Sequence, residues 1–179
     1  MNQKFTIREE KAADIHTISE VTNAAFRTLQ ISNHTEHLII HELRRQKALV
    51  LSLVAEQEGT IIGHIAFSPV NISNGAKNWL GLGPVSVLPE FQKKGVGSKL
   101  IREGLKRIKQ FNAAGCCLVG HPDYYGRFGF KNPNNLGMTG VPPEVFFSLS
   151  LNGTLPRGEV SFHNAFTQDY ELASEPTIS

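Results

Sequence analysis

"LGPVSVLPEFQKKGVGSKLI", residues 82–101, is the stretch on which the reading of this chain turns. It begins as an apolar, β-branched run, passes Pro89, and reaches Gln92-Lys93-Lys94-Gly95-Val96-Gly97 where a helical pattern starts. A strand therefore hands over to a helix through a turn carrying two glycines and two lysines. Glycine permits close backbone approach, and the free N–H groups of a helix start attract anions, as lysines do. The stretch predicts a phosphate-holding turn. Two common nucleotide signatures do not fit it. Leu100 stands where a dinucleotide fingerprint needs its third glycine, and the Gly-Lys-Ser/Thr of a P-loop is absent.

Working outward, residues 79–88 form a strand and 95–110 a helix that buries Ile101, Leu105 and Ile108, with Gly104 allowing close helix–sheet packing. Residues 115–120, GCCLVG, read as a short, wholly apolar central strand. Upstream, 49–56 and 61–70 flank Gln57-Glu58-Gly59-Thr60 in a hairpin pattern. Residues 5–8 predict a first strand. Helices are expected from Asp14, an N-cap type residue, and from Thr35 through Arg45. Downstream, PDYYGRFG fits a short helix, EVFFSLSLNG a last strand, and 152–179 a polar tail. The order β-α-α-β-β-β-α-β-α-β predicts a single α/β domain: a mixed, mostly antiparallel sheet with helices on both faces. Its expected bounds are 4–150, with 151–179 packing on it.

With 179 residues, 40% apolar and 19% charged, the chain has the composition of an ordinary globular domain. No apolar run approaches the roughly 18–20 residues of a membrane helix, and MNQKFTIREEKAAD has no signal-like core, so a cytoplasmic location is expected. Adjacent Cys116 and Cys117 lack metal-ligand spacing and read as packing residues. Residues 92–110 hold seven Lys and Arg against one acid, Glu103, which points to an anionic ligand. A nucleic-acid binder is disfavoured by the single tryptophan, three tyrosines and lack of a reading motif.

From Val85 to Leu100 the pattern V-x-V-x-P-x-x-Q-x-x-G-x-G-x-x-L closely resembles the acetyl-CoA motif of the GNAT superfamily of acyltransferases. A second element, "YYGRFGF" at 124–130, resembles that family's Tyr-x-x-x-Gly-Phe signature and a branch of predicted acetyltransferases. The resemblance covers about residues 4–150. It implies a cleft where the fourth and fifth strands splay, acetyl-CoA as co-substrate, an amine acceptor, no metal, and frequent homodimers. It places Val85 and Val87 on the pantetheine arm and Gln92, Lys93, Lys94, Gly95, Val96, Gly97 and Ser98 around the pyrophosphate. The Val87 N–H would polarise the thioester, and Tyr125 would protonate the CoA sulfur. Tyr124 is one position off and reads as a core or lid aromatic.

The family often carries an acidic base on the strand of Val85, yet residues 79–89 hold no carboxylate. His64 and His121 are the candidate bases, with a water chain through Ser86 as another route. The missing carboxylate also motivates a rival reading, a CoA-binding sensor without turnover. His34, His37 and His41 could share a helix face, but no HExxH pattern supports a metal. Asn33 and Glu36 in that segment are candidates for acceptor recognition, and the loop 131–145 for shaping the pocket.

Overall fold

The computed structural model describes residues 4–30 and 32–170. Among these residues eight strands, β1 (Thr6–Glu9), β2 (Leu51–Gln57), β3 (Thr60–Ile72), β4 (Trp79–Val87), β5 (Gly115–Val119), β6 (Leu136–Gly137), β7 (Phe146–Ser150) and β8 (Gly158–Phe162), accompany helices α1 (Ile15–Phe26), α2 (Glu36–Arg45) and α3 (Val96–Gln110). The main sheet runs β1-β2-β3-β4-β5-β7, antiparallel throughout except for the β4/β5 pair.

The β2–β3 turn is the two-residue loop Glu58-Gly59, with φ of 50° and 78°. Both central residues being left-handed matches the twist of the flanking strands. Residues of β2 then alternate between two layers. Leu53 and Ala55 pack with Leu100, Ile101 and Ile108 of α3, whereas Val54 packs with Ile18 and Val21 of α1 and Ile40 of α2. Helices thus cover both faces. Gly104 brings α3 tight to the sheet: a Cβ there would lie 2.5 Å from the Phe67 ring.

Two local features depart from the sequence reading. Asp14 does not cap α1 with its side chain; its carboxylate turns back to accept the Lys11 N–H at 2.7 Å and pairs with Arg8 at 2.7 Å. The segment read as a tail contributes β8, which pairs with the far end of β3 at Val70–Ile72 and in parallel with β6. Its polar sequence hides it, because β8 is strand by virtue of the β3 edge it meets rather than by periodicity. The turn beyond it, Asn164–Phe166, sets Ala165 against Ile39 and Leu43 of α2. Among the described residues no helix is long and apolar enough to cross a membrane.

Candidate active site

β4 and β5 pair only at Trp79–Gly81 with Gly115–Cys117. Past that point β4 stays with β3 while β5 follows β7, and the two separate. A bulge accompanies the split: Leu82 faces Phe67 and Val85 faces Ile65, so β4 spends one more residue than β3. Beyond the bulge the Leu88 N–H donates to Ile62 O at 2.9 Å. Antiparallel alternation then turns the polar groups of Val85 and Val87 away from β3, toward the gap. The Val87 carbonyl confirms this direction by accepting the Gln92 side-chain amide at 3.0 Å. An extended ligand arm can add there as a strand would.

At the end of β4, Lys93 (φ 61°) and Gly95 (φ 85°) are both left-handed and reverse the chain into α3. The first helical bond runs from the Lys99 N–H to Gly95 O at 3.1 Å, so Val96, Gly97 and Ser98 have no intrahelical acceptor for their N–H groups. Lys93, Lys94 and Gly95 are exposed beside them, while the Val96 side chain is buried and anchors the turn. Free N–H groups at a helix start, flanked by lysines, form a cradle able to receive an anion. Gln92 differs from expectation: its N–H bonds Pro89 O at 3.3 Å and is engaged within the preceding turn. Its contribution is the side-chain clamp on Val87.

Tyr124 and Tyr125 divide two tasks. The Tyr124 hydroxyl lies 3.3 Å from Ser98 Oγ, with the Arg127 guanidinium 4.6 Å from the ring centre, and so ties the 124–130 segment to the start of α3. The Tyr125 ring sits against Phe147 at 5.9 Å and Phe130 at 6.2 Å and lines the cavity that opens from the split strands. Burial, with a smaller effect of Tyr124, pushes its hydroxyl up to about 12, so it keeps its proton at neutral pH. It is a donor.

Neither candidate histidine reaches this cavity. His64 is fully buried on the α1/α2 side, 2.7 Å from Ser52 Oγ. Burial, then the charge of Arg44, pushes it down to about 3. It stays neutral and walled off, so the expectation of a His64 base is corrected. His121 is exposed, and its Nδ1 accepts the Asp123 N–H at 3.3 Å in a local turn; it too lies outside the cavity wall. His34, His37 and His41 do not share a face either, since α2 begins at Glu36 and His34 precedes it with φ of 57°. No group of three metal-ligating side chains is found among the described residues.

The cavity itself measures about 1190 Å³ and runs from Val85 and Tyr125 to a wall made by α2, β8 and the turn after β8. Glu36, Phe162 and His163 line it. The sequence pointed to Asn33 and Glu36 for acceptor recognition, and of the two Glu36 lines the cavity; β8 and His163 were missed altogether, because nothing local signals that these distant pieces meet.

A sequence model described as the Acetyltransferase (GNAT) family matches residues 15–130, spanning both the strand–turn–helix and the tyrosine segment. The chain belongs to the GNAT family of acetyltransferases. Among curated relatives, the uncharacterized N-acetyltransferase YhbS of Escherichia coli K12 is 33% identical over 126 residues, covering 70% of this chain and 72% of that protein. YjhQ of the same organism is also 33% identical, over 129 residues, 71% of this chain and 70% of that protein. Among solved structures, a GNAT family acetyltransferase of Brucella melitensis in complex with acetyl-CoA is 47% identical with a TM-score of 0.82, covering 92% of this chain and 99% of that one. Escherichia coli YhbS in complex with CoA has a TM-score of 0.82 at 28% identity, covering 93% of each chain. The GNAT element order and strand split account for why the anion cradle, the open β4 edge and Tyr125 converge.

Proposed function

We propose that this GNAT chain transfers an acetyl group from acetyl-CoA to a primary amine by direct attack within a ternary complex. One observation carries the proposal. The outward-facing backbone of Val85 and the Tyr125 side chain border one cavity, and β4 runs on from it through Val87 to a helix start whose N–H groups have no partner within α3. The relatives' structures with acetyl-CoA and CoA support the same donor.

Acetyl-CoA supplies an activated thioester. The N–H groups of Val96, Gly97 and Ser98, with Lys93 and Lys94, hold its pyrophosphate, and the β4 edge aligns the pantetheine. The Val87 N–H faces the carbonyl that gains negative charge as the amine nitrogen bonds to carbon and the C–S bond breaks. Tyr125 donates its proton to the departing sulfur, and the proton released by the amine restores the balance. A donor near 12 suits a thiolate only if the sulfur is also kept from water. Burial acts on a CoA thiolate in the same direction as on the Tyr125 hydroxyl, favouring the protonated form. Glu36, on the acceptor side of the cavity, supplies the carboxylate missing from β4, which favours turnover over a sensor. A cytoplasmic homodimer completes the reading.

Initial velocities of CoA release with both substrates varied test the direct route. Intersecting double-reciprocal lines are expected; parallel lines, the mark of an acetyl-enzyme, contradict it.

A further inference from the structure

The acceptor half of the cavity is built with one sign of charge. Its wall contains two carboxylates, Glu36 and Glu159, and one histidine, but none of the chain's 18 lysines and arginines. His163 adds no positive charge in its neutral form. Its Nδ1 accepts the Ala165 N–H at 3.1 Å, which leaves the proton on Nε2 and makes the ring a hydrogen-bond donor. All the basic residues of the cradle lie on the opposite, donor side.

Glu36 is the incomplete element of that wall. The Ser32 hydroxyl donates to its Oε1, while Oε2 is shut off from water and has no hydrogen-bond partner among the described residues. None of the described ion pairs uses Glu36. An ionised carboxylate accepts about four hydrogen bonds, and leaving a buried oxygen unpaired is costly. Glu36 lines the cavity, so its carboxylate lies where the hydrogen-bond donors of a ligand would come. Besides uncharged polar side chains such as Asn71, Ser161 and Asn164, the wall carries an apolar stretch: Phe26, Ile39, Met138, and Phe162 against Phe166 at 5.2 Å between ring centres.

We infer that the acceptor is a small primary amine on an aromatic or similarly broad apolar body, lacking carboxylate and phosphate, with its ammonium received by Glu36. The inference rests on the acetyl-transfer reading above and specifies its substrate class. The ammonium completes the Glu36 carboxylate, and the apolar body covers Phe162 and Phe166. A carboxylate on the carbon bearing the amine would enter a negative wall with no cation to meet it, which repels it. Glu159, exposed and bonded by Thr139, adds to that repulsion.

The test is a matched pair of acceptors differing only in the carboxylate: phenethylamine against phenylalanine, and tryptamine against tryptophan, with acetyl-CoA and CoA release as readout. The wild-type protein should favour the decarboxylated partner by about 100-fold in kcat/KM. Glu36→Gln should raise KM for phenethylamine about tenfold or more and shrink the preference, with acetyl-CoA affinity unchanged. That affinity, measured by calorimetry, also shows that the variant is folded. Equal use of both partners, no turnover of either amine, or an unchanged preference in Glu36→Gln overturns the acceptor assignment. Failure of the wild-type protein to bind acetyl-CoA instead overturns the transfer reading beneath it.

Discussion

The ring of Tyr125 occupies the space that a side chain at residue 120 would need, since a Cβ on Gly120 would stand 2.2 Å from Tyr125 Cε2. Gly120 is also tied down, its N–H donating to Val145 O at 2.9 Å. The glycine therefore yields less readily than the ring. Gly120→Ala should push Tyr125 out of place and lower kcat by about 10–100-fold, with acetyl-CoA affinity nearly unchanged. Steady-state kinetics beside calorimetry check this; an unaltered kcat would show that the hydroxyl's position is not critical.

The two cradle glycines should behave differently. Gly95 has φ of 85° with nothing near its missing Cβ, whereas Gly97 is helical and a Cβ there meets only ordinary contacts, the nearest at 3.5 Å. Gly95→Ala should cost about 1–2 kcal/mol through backbone strain alone. Gly97→Ala should leave stability within about 1 kcal/mol of the original or raise it. Denaturant midpoints of the two variants give the comparison, and equal losses would contradict it.

Gly104 carries no ligand, yet its replacement should hurt. Alanine is the better helix former by about 1 kcal/mol, but its methyl would strike the Phe67 ring. Overpacking of this kind costs about 1–3 kcal/mol, so Gly104→Ala should be net destabilising. Adding Phe67→Leu should recover part of the loss, a non-additivity that a double-mutant cycle measures directly.

His64 predicts a pH dependence of stability. Unfolded, it takes a proton near 6.5; folded, only near 3. Between those values the unfolded chain holds the extra proton, so stability is complete above about pH 6.5 and falls as pH drops, by up to about 1.4 kcal/mol per pH unit. Glu42, held at about 2 by Arg45 and Gln46, adds a further acid loss that begins below its usual 4.5. Melting temperatures between pH 6 and 4 should fall more gently in His64→Gln than in the parent. Matching slopes would contradict a neutral buried His64.

The strand–turn–helix and the hairpin were legible because their signals are local: alternation, a Glu-Gly turn, and glycines at a helix start. His64 was misplaced for a physical reason. A strand side chain points to one face or the other, and a single bulge, such as that between Ala55 and Glu56, inverts the count. The acceptor wall was illegible for another. Glu36 and His163 are 127 positions apart and meet only because β8 extends the β3 edge and Ala165 packs on α2. No motif records such a meeting.

In the proposed reaction the Tyr125 hydroxyl delivers the proton to the departing sulfur. The most direct test of this step is the turnover of Tyr125→Phe with acetyl-CoA and phenethylamine, which removes one oxygen and keeps the packed ring. Loss of the hydroxyl should lower kcat by about 100-fold or more with acetyl-CoA affinity unchanged; a variant that turns over at the parent rate would rule out Tyr125 as the proton donor.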